Sequence, residues 1–161
     1  MNSNAEFKNF MSSIPTAVAI VSVLDENQNS HVSCTISSFN SFSVEEGGEE
    51  VGFVLRLNSK IADQIQGIKR FSISFLTSEQ DQIAKNLGGL SSEIASADNF
   101  ENIKTSGEIF YRVQNCYAWI YCELTEIFHR KNSQLILGKP IYFTKSEAIP
   151  LIYVNRNFRS L

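Results

Sequence analysis

Two short stretches of the sequence carry residue types that could hold a polar or charged ligand. The first is Asn58-Ser59-Lys60, where two good N-cap residues precede isoleucines at helical spacing and so predict the start of a helix. A helix N-terminus offers free N–H groups and a partial positive charge, and here a hydroxyl and an ammonium group stand beside them. This combination indicates a phosphate site, with Arg56 as a further source of charge. The alternative is a plain helix cap with a solvated lysine, and with Arg56 extended from a strand edge.

The second stretch is HVSCTISSFNSFS, from His31 to Ser43. If it is a strand, alternate side chains point to opposite faces, which places Ser33, Thr35 and Ser37 on a hydroxylated face and Cys34, Ile36 and Ser38 on the other. Further donors and acceptors follow where the strand ends, at Ser38, Asn40, Ser41 and Ser43. Such an edge suits a flat heteroaromatic ligand with carbonyl and ring-nitrogen acceptors. An edge strand whose serines face water is the alternative.

Motifs for several other chemistries are missing from the sequence. There is no Gly-x-Gly-x-x-Gly, no P-loop and no Gly-x-Ser-x-Gly. Neither His31 nor His129 has a partner for catalysis nearby in sequence, and we expect both to be solvated near strand ends. The three cysteines, Cys34, Cys116 and Cys122, contain no Cys-x-x-Cys pair and give too few ligands for a zinc site. We therefore predict reduced, mostly buried thiols, no metal site, and no catalytic acid or base.

Length and charge narrow the class of protein. A chain of 161 residues is long enough to bury a core and is expected to form one domain over residues 1–161. The formal net charge of −3 gives no basic face for nucleic acid. The first residues do not resemble a signal peptide, and no apolar run is long enough to cross a membrane. We therefore expect a cytoplasmic protein with no nucleic-acid or membrane partner.

The elements that must position these residues are mostly strands. Helical spacing predicts short helices over 4–13, from Asn58 to Ile68, and between a Ser78 cap and Gly88. Strands are predicted in the segments TAVAIVSVL, HVSCTISSF, VGFVLRL, RFSISFL, CYAWIYCELTEIFH, QLILGKPIYF and PLIYVN. Residues 90–107 are polar and weakly patterned, and we interpret them as a mobile excursion. Because strands and helices do not alternate regularly, the prediction is a mostly β fold, an antiparallel barrel with short helices at its ends.

The order of these motifs resembles the flavin reductase-like domains of the FMN-binding split-barrel family. The segments that carry the resemblance are PTAVAIVSV, TISSFNSFS, NSKIADQI, RFSISFL, EQDQIAKNLGG, AWIYCEL and PLIYVNRNFRSL. Each is a weak signal alone, but together they follow the family's order over nearly the whole chain. The resemblance implies a split β-barrel of antiparallel strands with short capping helices.

The resemblance also implies a function and a site. Members of this family are typically homodimers that bind FMN or FAD near the subunit interface, and many use NADH or NADPH to reduce flavin for a separate monooxygenase. Residues that match the family positions for the phosphate are Asn58, Ser59 and Lys60. Those that match positions along the isoalloxazine ring and ribityl chain are Thr16, Thr35, Ile36, Ser37, Ser38 and Ser41.

The sequence departs from the family pattern in three places. Ile61 stands where a threonine often adds a phosphate donor, and Ser74 stands where the family strand usually has asparagine. Lys131-Asn132-Ser133 replaces the Gly-Asp-His associated with the nicotinamide side. Two other functions therefore stay open: an FMN-binding protein without efficient NAD(P)H turnover, and a flavoprotein oxidase or oxygenase. Aromatic and basic side chains near the end of the chain could contact a nicotinamide or pack at a dimer seam, namely Tyr153, Arg156 and Phe158.

Overall fold

A computed structural model describes residues 3–25, 30–89, 97–105 and 107–161 of the chain. These residues form short helices and many strands, as the sequence predicted. The α-helices are α1 (Asn4–Ser12), α2 (Lys60–Ile68) and α3 (Asp81–Leu87). The strands are β1 (Thr16–Ala17), β2 (Ala19–Asp25), β3 (Ser30–Ile36), β4 (Asn40–Ser43), β5 (Glu50–Arg56), β6 (Arg70–Phe75), β7 (Phe100–Thr105), β8 (Glu108–Val113), β9 (Ala118–His129), β10 (Ser133–Lys145), β11 (Leu151–Val154) and β12 (Asn157–Ser160).

One large antiparallel sheet organises the fold. Its seven strands lie in the order β3-β2-β6-β9-β10-β5-β4, and every neighbouring pair is antiparallel. The predicted hairpin of β2 and β3 is present, with Ala19 opposite Ile36 and Ile20 opposite Thr35. A smaller sheet of β1, β11 and β12 lies beside it. The predicted mostly antiparallel β fold with few short helices is confirmed, although ladder hydrogen bonds among the described strands do not close a complete barrel.

The two faces of the main sheet each bury an apolar cluster. On one face, α2 places Ile61 and Ile65 against strand residues that include Phe53 and Phe71. On the other face, Ile20 and Trp119 pack with residues from β8, α3 and β11. Burial of these side chains is the main source of stability for the main sheet, which includes the hydroxyl-rich strand β3.

The prediction for residues 90–107 was wrong over part of its length. Phe100–Thr105 is a strand that pairs with Glu108–Val113, in register from Phe100 opposite Val113. The stacked rings of Phe100 and Tyr111, with centroids 4.9 Å apart, hold the hairpin together. Residues 90–96 and 106 lie outside the described residues. Polar side chains on the exposed positions of β7 hid the period-2 pattern that marks a half-buried strand.

The predicted start of α3 also needs correction. The helix begins at Asp81, and its N-cap position is Gln80 rather than Ser78. The Gln80 side chain accepts a hydrogen bond from the Thr77 N–H at 3.0 Å, while the Ser78 N–H donates to the carbonyl of Ile149 at 2.8 Å. Ser78 is therefore held by the chain near the end of β10, which its position in the sequence could not indicate.

None of the helices in the described residues is long and apolar enough to span a membrane.

Candidate functional site

A cleft of about 570 Å³ runs along the edge of β3, between this strand, the end of β5, the start of α2 and the end of α3. Six of the nine predicted site residues line it: Thr35, Ile36, Ser37, Ser38, Ser59 and Lys60. A second cavity of about 360 Å³ shares Thr35, Ile36, Ser37, Arg56 and Gly88 with it and adds Tyr153 and Phe158. The two spaces therefore form one continuous groove.

Ser59 is the most unusual polar residue of this groove. It occupies the N-cap position of α2 with an extended backbone, but its hydroxyl does not cap the helix. The Ser59 Oγ atom is buried and has no hydrogen-bond partner among the described residues. A buried polar group without a partner costs about 1–3 kcal/mol. A ligand acceptor that enters the cleft would remove this cost.

The backbone around Ser59 adds further donors. The first helical hydrogen bonds are donated by Ala62 and Asp63 to the Ser59 carbonyl, so the N–H groups of Lys60 and Ile61 have no partner within the helix. Asn58 adopts a left-handed conformation with φ of 60°, which turns the chain from β5 into the helix. The result is a helix start with free N–H groups, an unpartnered hydroxyl and a lysine, which fits a phosphate.

The electrostatics of the groove favour an anion. Among the described residues, its titratable lining side chains are Cys34, Arg56, Lys60 and Tyr153, and no carboxylate lines either of the two spaces. Burial raises the pKa of the Cys34 thiol to about 11, so this residue is neutral at physiological pH. Arg56 and Lys60 then give the groove a positive charge. Among the described residues the groove has no histidine and no carboxylate, the side chains that most often act as general acid or base.

The hydroxyls on β3 divide into those held by the protein and those open to a ligand. Thr35 donates its hydroxyl to the carbonyl of Ala84 in α3 at 2.8 Å. The Ser38 hydroxyl both accepts from the Val54 N–H at 2.9 Å and donates to the Val54 carbonyl at 3.1 Å. Ser37 is exposed and makes no such bond to any other described residue. Part of the hydroxyl-rich stretch therefore joins β3 to its neighbours, a role that the sequence alone did not distinguish from ligand binding.

Three predicted site residues do not line the groove. Thr16 lies in β1 opposite Tyr153, Ser41 lies in β4 opposite Val51, and Asn58 is exposed at the turn before Ser59. Ile36, which does line the groove, is only 5% exposed. Its side chain belongs to the core, so its backbone is the part that remains for a ligand.

Several lining residues were not among the predicted site residues. Arg56 lies at the end of β5 and borders both parts of the groove, which its position just before the helix had suggested. Gly88 was interpreted only as the end of a helix. A Cβ atom at this position would lie 2.8 Å from the Ala84 carbonyl oxygen and 3.6 Å from Thr35, so glycine keeps this wall of the groove open.

The aromatic residues near the end of the chain are placed differently from Arg156. Tyr153 and Phe158 line the groove, and their ring centroids are 5.2 Å apart. Arg156 instead donates a hydrogen bond from Nη2 to Oδ1 of Asn9 in α1 at 2.5 Å. Of the three candidates for a contact with nicotinamide, the described structure therefore brings the two aromatic residues to the groove.

His31 and His129 are both exposed, as predicted, but His31 also contacts the hairpin of β7 and β8. Its Nε2 atom lies 2.9 Å from the hydroxyl of Tyr111, and its ring packs 4.3 Å from the Tyr111 ring. Burial lowers the pKa of His31 below the ordinary value of 6.5.

The cysteines are free thiols, as predicted. Within the described ranges no group of His, Cys, Asp and Glu residues could hold a metal ion.

Comparisons with known proteins identify the family. The family model described as "Flavin reductase like domain" matches residues 11–161, so the chain belongs to the flavin reductase-like domain family. No curated protein sequence matches the chain.

Solved structures with this fold are similar over nearly their whole length. Flavin reductase PheA2 has a TM-score of 0.86 and 18% identity, with 99% of each chain covered. The flavin reductase of styrene monooxygenase from Pseudomonas putida S12 has a TM-score of 0.81 and 17% identity, with 96% of each chain covered. The Streptomyces globisporus C-1027 NADH:FAD oxidoreductase SgcE6, in complex with NAD and FAD fragments, has a TM-score of 0.84 and 16% identity, with 99% of this chain and 93% of that chain covered. These likenesses establish the fold.

Proposed function

We propose that this flavin reductase-like protein is an NAD(P)H:flavin oxidoreductase that binds FMN or FAD in the groove along β3. The observation that carries the proposal is the buried, unpartnered hydroxyl of Ser59 at a positively charged helix start. A flavin nucleotide has both the phosphate that this helix start fits and a flat ring system that suits the strand edge beside it. The proposal also agrees with the family to which the chain belongs.

The residues of the groove would divide the work of binding. Ser59, Lys60 and the first N–H groups of α2 would hold the phosphate, with Arg56 adding charge. Ser37 and the backbone of β3 would meet the polar edge of the ring, while Tyr153 and Phe158 would shield the site from water. When bound, the flavin supplies the hydride acceptor. The protein then needs only to position two ring systems, which suits a groove whose described lining has no histidine or carboxylate.

A second candidate function is an FMN-binding protein without efficient NAD(P)H turnover. Its support comes from the turn between β9 and β10, where Lys131-Asn132-Ser133 replaces the family's Gly-Asp-His. This turn is joined to the segment that leads into α2, because the carbonyl of Asn132 accepts a hydrogen bond from the N–H of Leu57 at 3.2 Å. Leu57 directly precedes Asn58 and Ser59, so the change falls next to the proposed phosphate site.

We further propose that the protein is a cytoplasmic homodimer. Val54, Leu135 and Phe128 lie opposite one another on β5, β10 and β9, and Val54 and Phe128 are 43% and 44% exposed. This apolar row is continuous with the groove, because Val54 also lines it. A second copy seated on this row would bury it and close the side of the groove. The free thiols agree with a reducing compartment.

The reduced flavin would be passed to a separate monooxygenase. This part of the proposal rests on the family and on a structural relative that is the flavin reductase of styrene monooxygenase. Such a transfer requires the product to leave the groove. We therefore expect flavin to act as an exchangeable substrate rather than a permanently bound group.

Steady-state oxidation of NADH and NADPH, with and without FMN, FAD and riboflavin, tests the proposal. We expect oxidation that depends on added flavin. If the fluorescence of flavin is quenched in a titration with the protein but neither NADH nor NADPH is oxidised, the second candidate function is correct. If neither turnover nor binding occurs, both candidate functions are overturned.

Sedimentation of the wild type and of a Val54→Asp variant tests the dimer, which the aspartate should disrupt.

A further inference from the structure

Trp119, the only tryptophan of the chain, lines a polar cavity that is separate from the groove described above. The side chain is 7% exposed, and its indole N–H is buried without a hydrogen-bond partner among the described residues. Indole nitrogen can only donate, and buried tryptophans usually find an acceptor. The missing partner of this donor therefore requires an explanation.

The cavity beside Trp119 has a volume of about 310 Å³ and is separate from the groove. It lies where β8 ends, β9 begins and β10 ends. Its lining consists of Arg112, Asn115, Cys116, Tyr117, Ala118, Trp119, Thr144, Lys145 and Ser146. Among the described residues, the lining has two cationic side chains and no carboxylate, so its chemistry favours an anion.

Arg112 is held in place at this cavity by two contacts. Its guanidinium lies over the Trp119 ring, 5.2 Å from the centroid, and its Nε atom donates to Glu101 at 2.8 Å. Arginine has five N–H donors, so the bond from Nε leaves the terminal nitrogens available. Lys145 forms none of the ion pairs found within the described ranges. A ligand with acceptor oxygens could therefore be met by Arg112 and Lys145, beside the Trp119 ring that carries the unpartnered indole N–H.

The hydroxyl of Ser146 has a different role. It donates to the carbonyl of Tyr117 at 3.0 Å and accepts from the N–H of Ala148 at 3.4 Å. These bonds fix the loop after β10 against the start of β9. The cavity thus has a wall that is internally bonded, with its unused donors on Trp119, Arg112 and Lys145.

We propose that this cavity is a binding site for a small oxyanion, a phosphate or a carboxylate, that accepts a hydrogen bond from the indole N–H of Trp119. The site is distinct from the flavin groove. Trp119 lies opposite Ser74, Ser74 opposite Ile20, and Ile20 opposite Thr35. The cavity is therefore three strand spacings from the groove, or about 14 Å. The proposal does not depend on the flavin function.

Because the chain has a single tryptophan, its one indole N–H resonance in a ¹⁵N-correlated NMR spectrum reports directly on the site. We would titrate the full chain with inorganic phosphate and, separately, with succinate, using sodium chloride as the control for ionic strength. A saturable shift of the indole resonance with phosphate, with succinate or with both supports the proposal. The anion that gives the shift identifies which source of oxyanion the site prefers.

Variants separate this site from other causes of a shift. Lys145 is exposed, so Lys145→Gln should keep the fold and weaken anion binding roughly tenfold. Arg112→Lys keeps the charge but loses the fork of donors, and it should weaken binding as well. Lys139→Gln, an exposed lysine elsewhere on β10, should leave binding unchanged. Ser59→Ala should also leave the shift unchanged, because it alters only the groove.

Two results would overturn the proposal. The first is an indole resonance that does not move in a saturable way with either anion, which would mean that water satisfies the donor. The second is a shift that Lys145→Gln and Arg112→Lys leave at wild-type affinity, which would place the anion elsewhere.

Discussion

The hydroxyl of Ser38 makes two hydrogen bonds to the backbone of Val54, accepting from its N–H at 2.9 Å and donating to its carbonyl at 3.1 Å. Ser38 follows β3, an outer strand of the sheet, and Val54 lies in β5 near the other end of the strand order. One side chain thus substitutes for a pair of backbone bonds where the sheet curls round and its ladder does not close. Ser38 and Val54 also line the groove.

Ser38→Ala should therefore act mainly on stability. Both bonds to Val54 are lost, and we expect the free energy of unfolding to fall by about 1–2 kcal/mol. Flavin affinity should fall as a consequence of the opened junction. Chemical denaturation followed by Trp119 fluorescence measures the first effect.

The matched control is Ser37→Ala, at the neighbouring exposed position. This variant should lose flavin affinity while its unfolding free energy stays within about 0.5 kcal/mol of wild type. Equal destabilisation by the two variants would contradict the assignment of Ser38 to the junction.

Ser59→Ala should change stability and binding in opposite directions. Removal of a buried hydroxyl that has no partner should raise the unfolding free energy of the flavin-free protein by about 1 kcal/mol. The same change removes a donor to the proposed phosphate, so flavin affinity should fall about tenfold. Thermal unfolding and a flavin fluorescence titration give the two values.

Ser3→Ala serves as the control for Ser59→Ala. Ser3 caps α1 through a bond from the Glu6 N–H at 3.2 Å, so this is an N-cap whose hydroxyl is in use. Its loss should leave flavin affinity unchanged. A Ser59→Ala variant that is less stable than wild type and binds flavin normally would refute the proposed role of Ser59.

A comparison of two ligands, FMN and riboflavin, tests whether Lys60 contacts the phosphate of the flavin. Lys60→Gln should weaken FMN binding about tenfold, because a charge-assisted contact to phosphate is lost. Riboflavin has no phosphate, so its affinity should not change. Parallel titrations with both ligands measure this, and Lys104→Gln, an exposed lysine on β7, is the control. Equal losses for FMN and riboflavin would place the phosphate away from α2.

The sequence indicated which stretches line the groove better than it indicated the contacts of each residue. The helix start at Ser59 and the hydroxyl-rich strand were both visible as local patterns, and both line the groove. Which hydroxyls are free was not visible, because Thr35 bonds to Ala84 and Ser38 bonds to Val54. These partners are 49 and 16 residues away in sequence. Only the folded sheet brings them together.

For the fold as well, elements with a clear local pattern were predicted, and elements that depend on contacts distant in sequence were not. Long apolar strands such as β2 and β6 were predictable from pattern. The hairpin of β7 and β8 was not, because its stability depends on Phe100 and Tyr111 stacking on each other and packing against His31. Burial against a distant partner decided its structure, and the polar residues of β7 masked the pattern.

The pairing of His31 with Tyr111 predicts a pH dependence of stability. Burial lowers the pKa of His31 below 6.5, so between the folded pKa and about 6.5 the unfolded chain binds more protons than the folded one. Stability should therefore be constant above about pH 7.5 and should fall as the pH drops from about 7 through the folded pKa. His31→Gln should flatten this decline, while His129→Gln, at the exposed end of β9, should retain it. Thermal unfolding from about pH 5 to pH 8 measures the slope, and a His31→Gln profile identical to that of wild type would show that the decline comes from other groups.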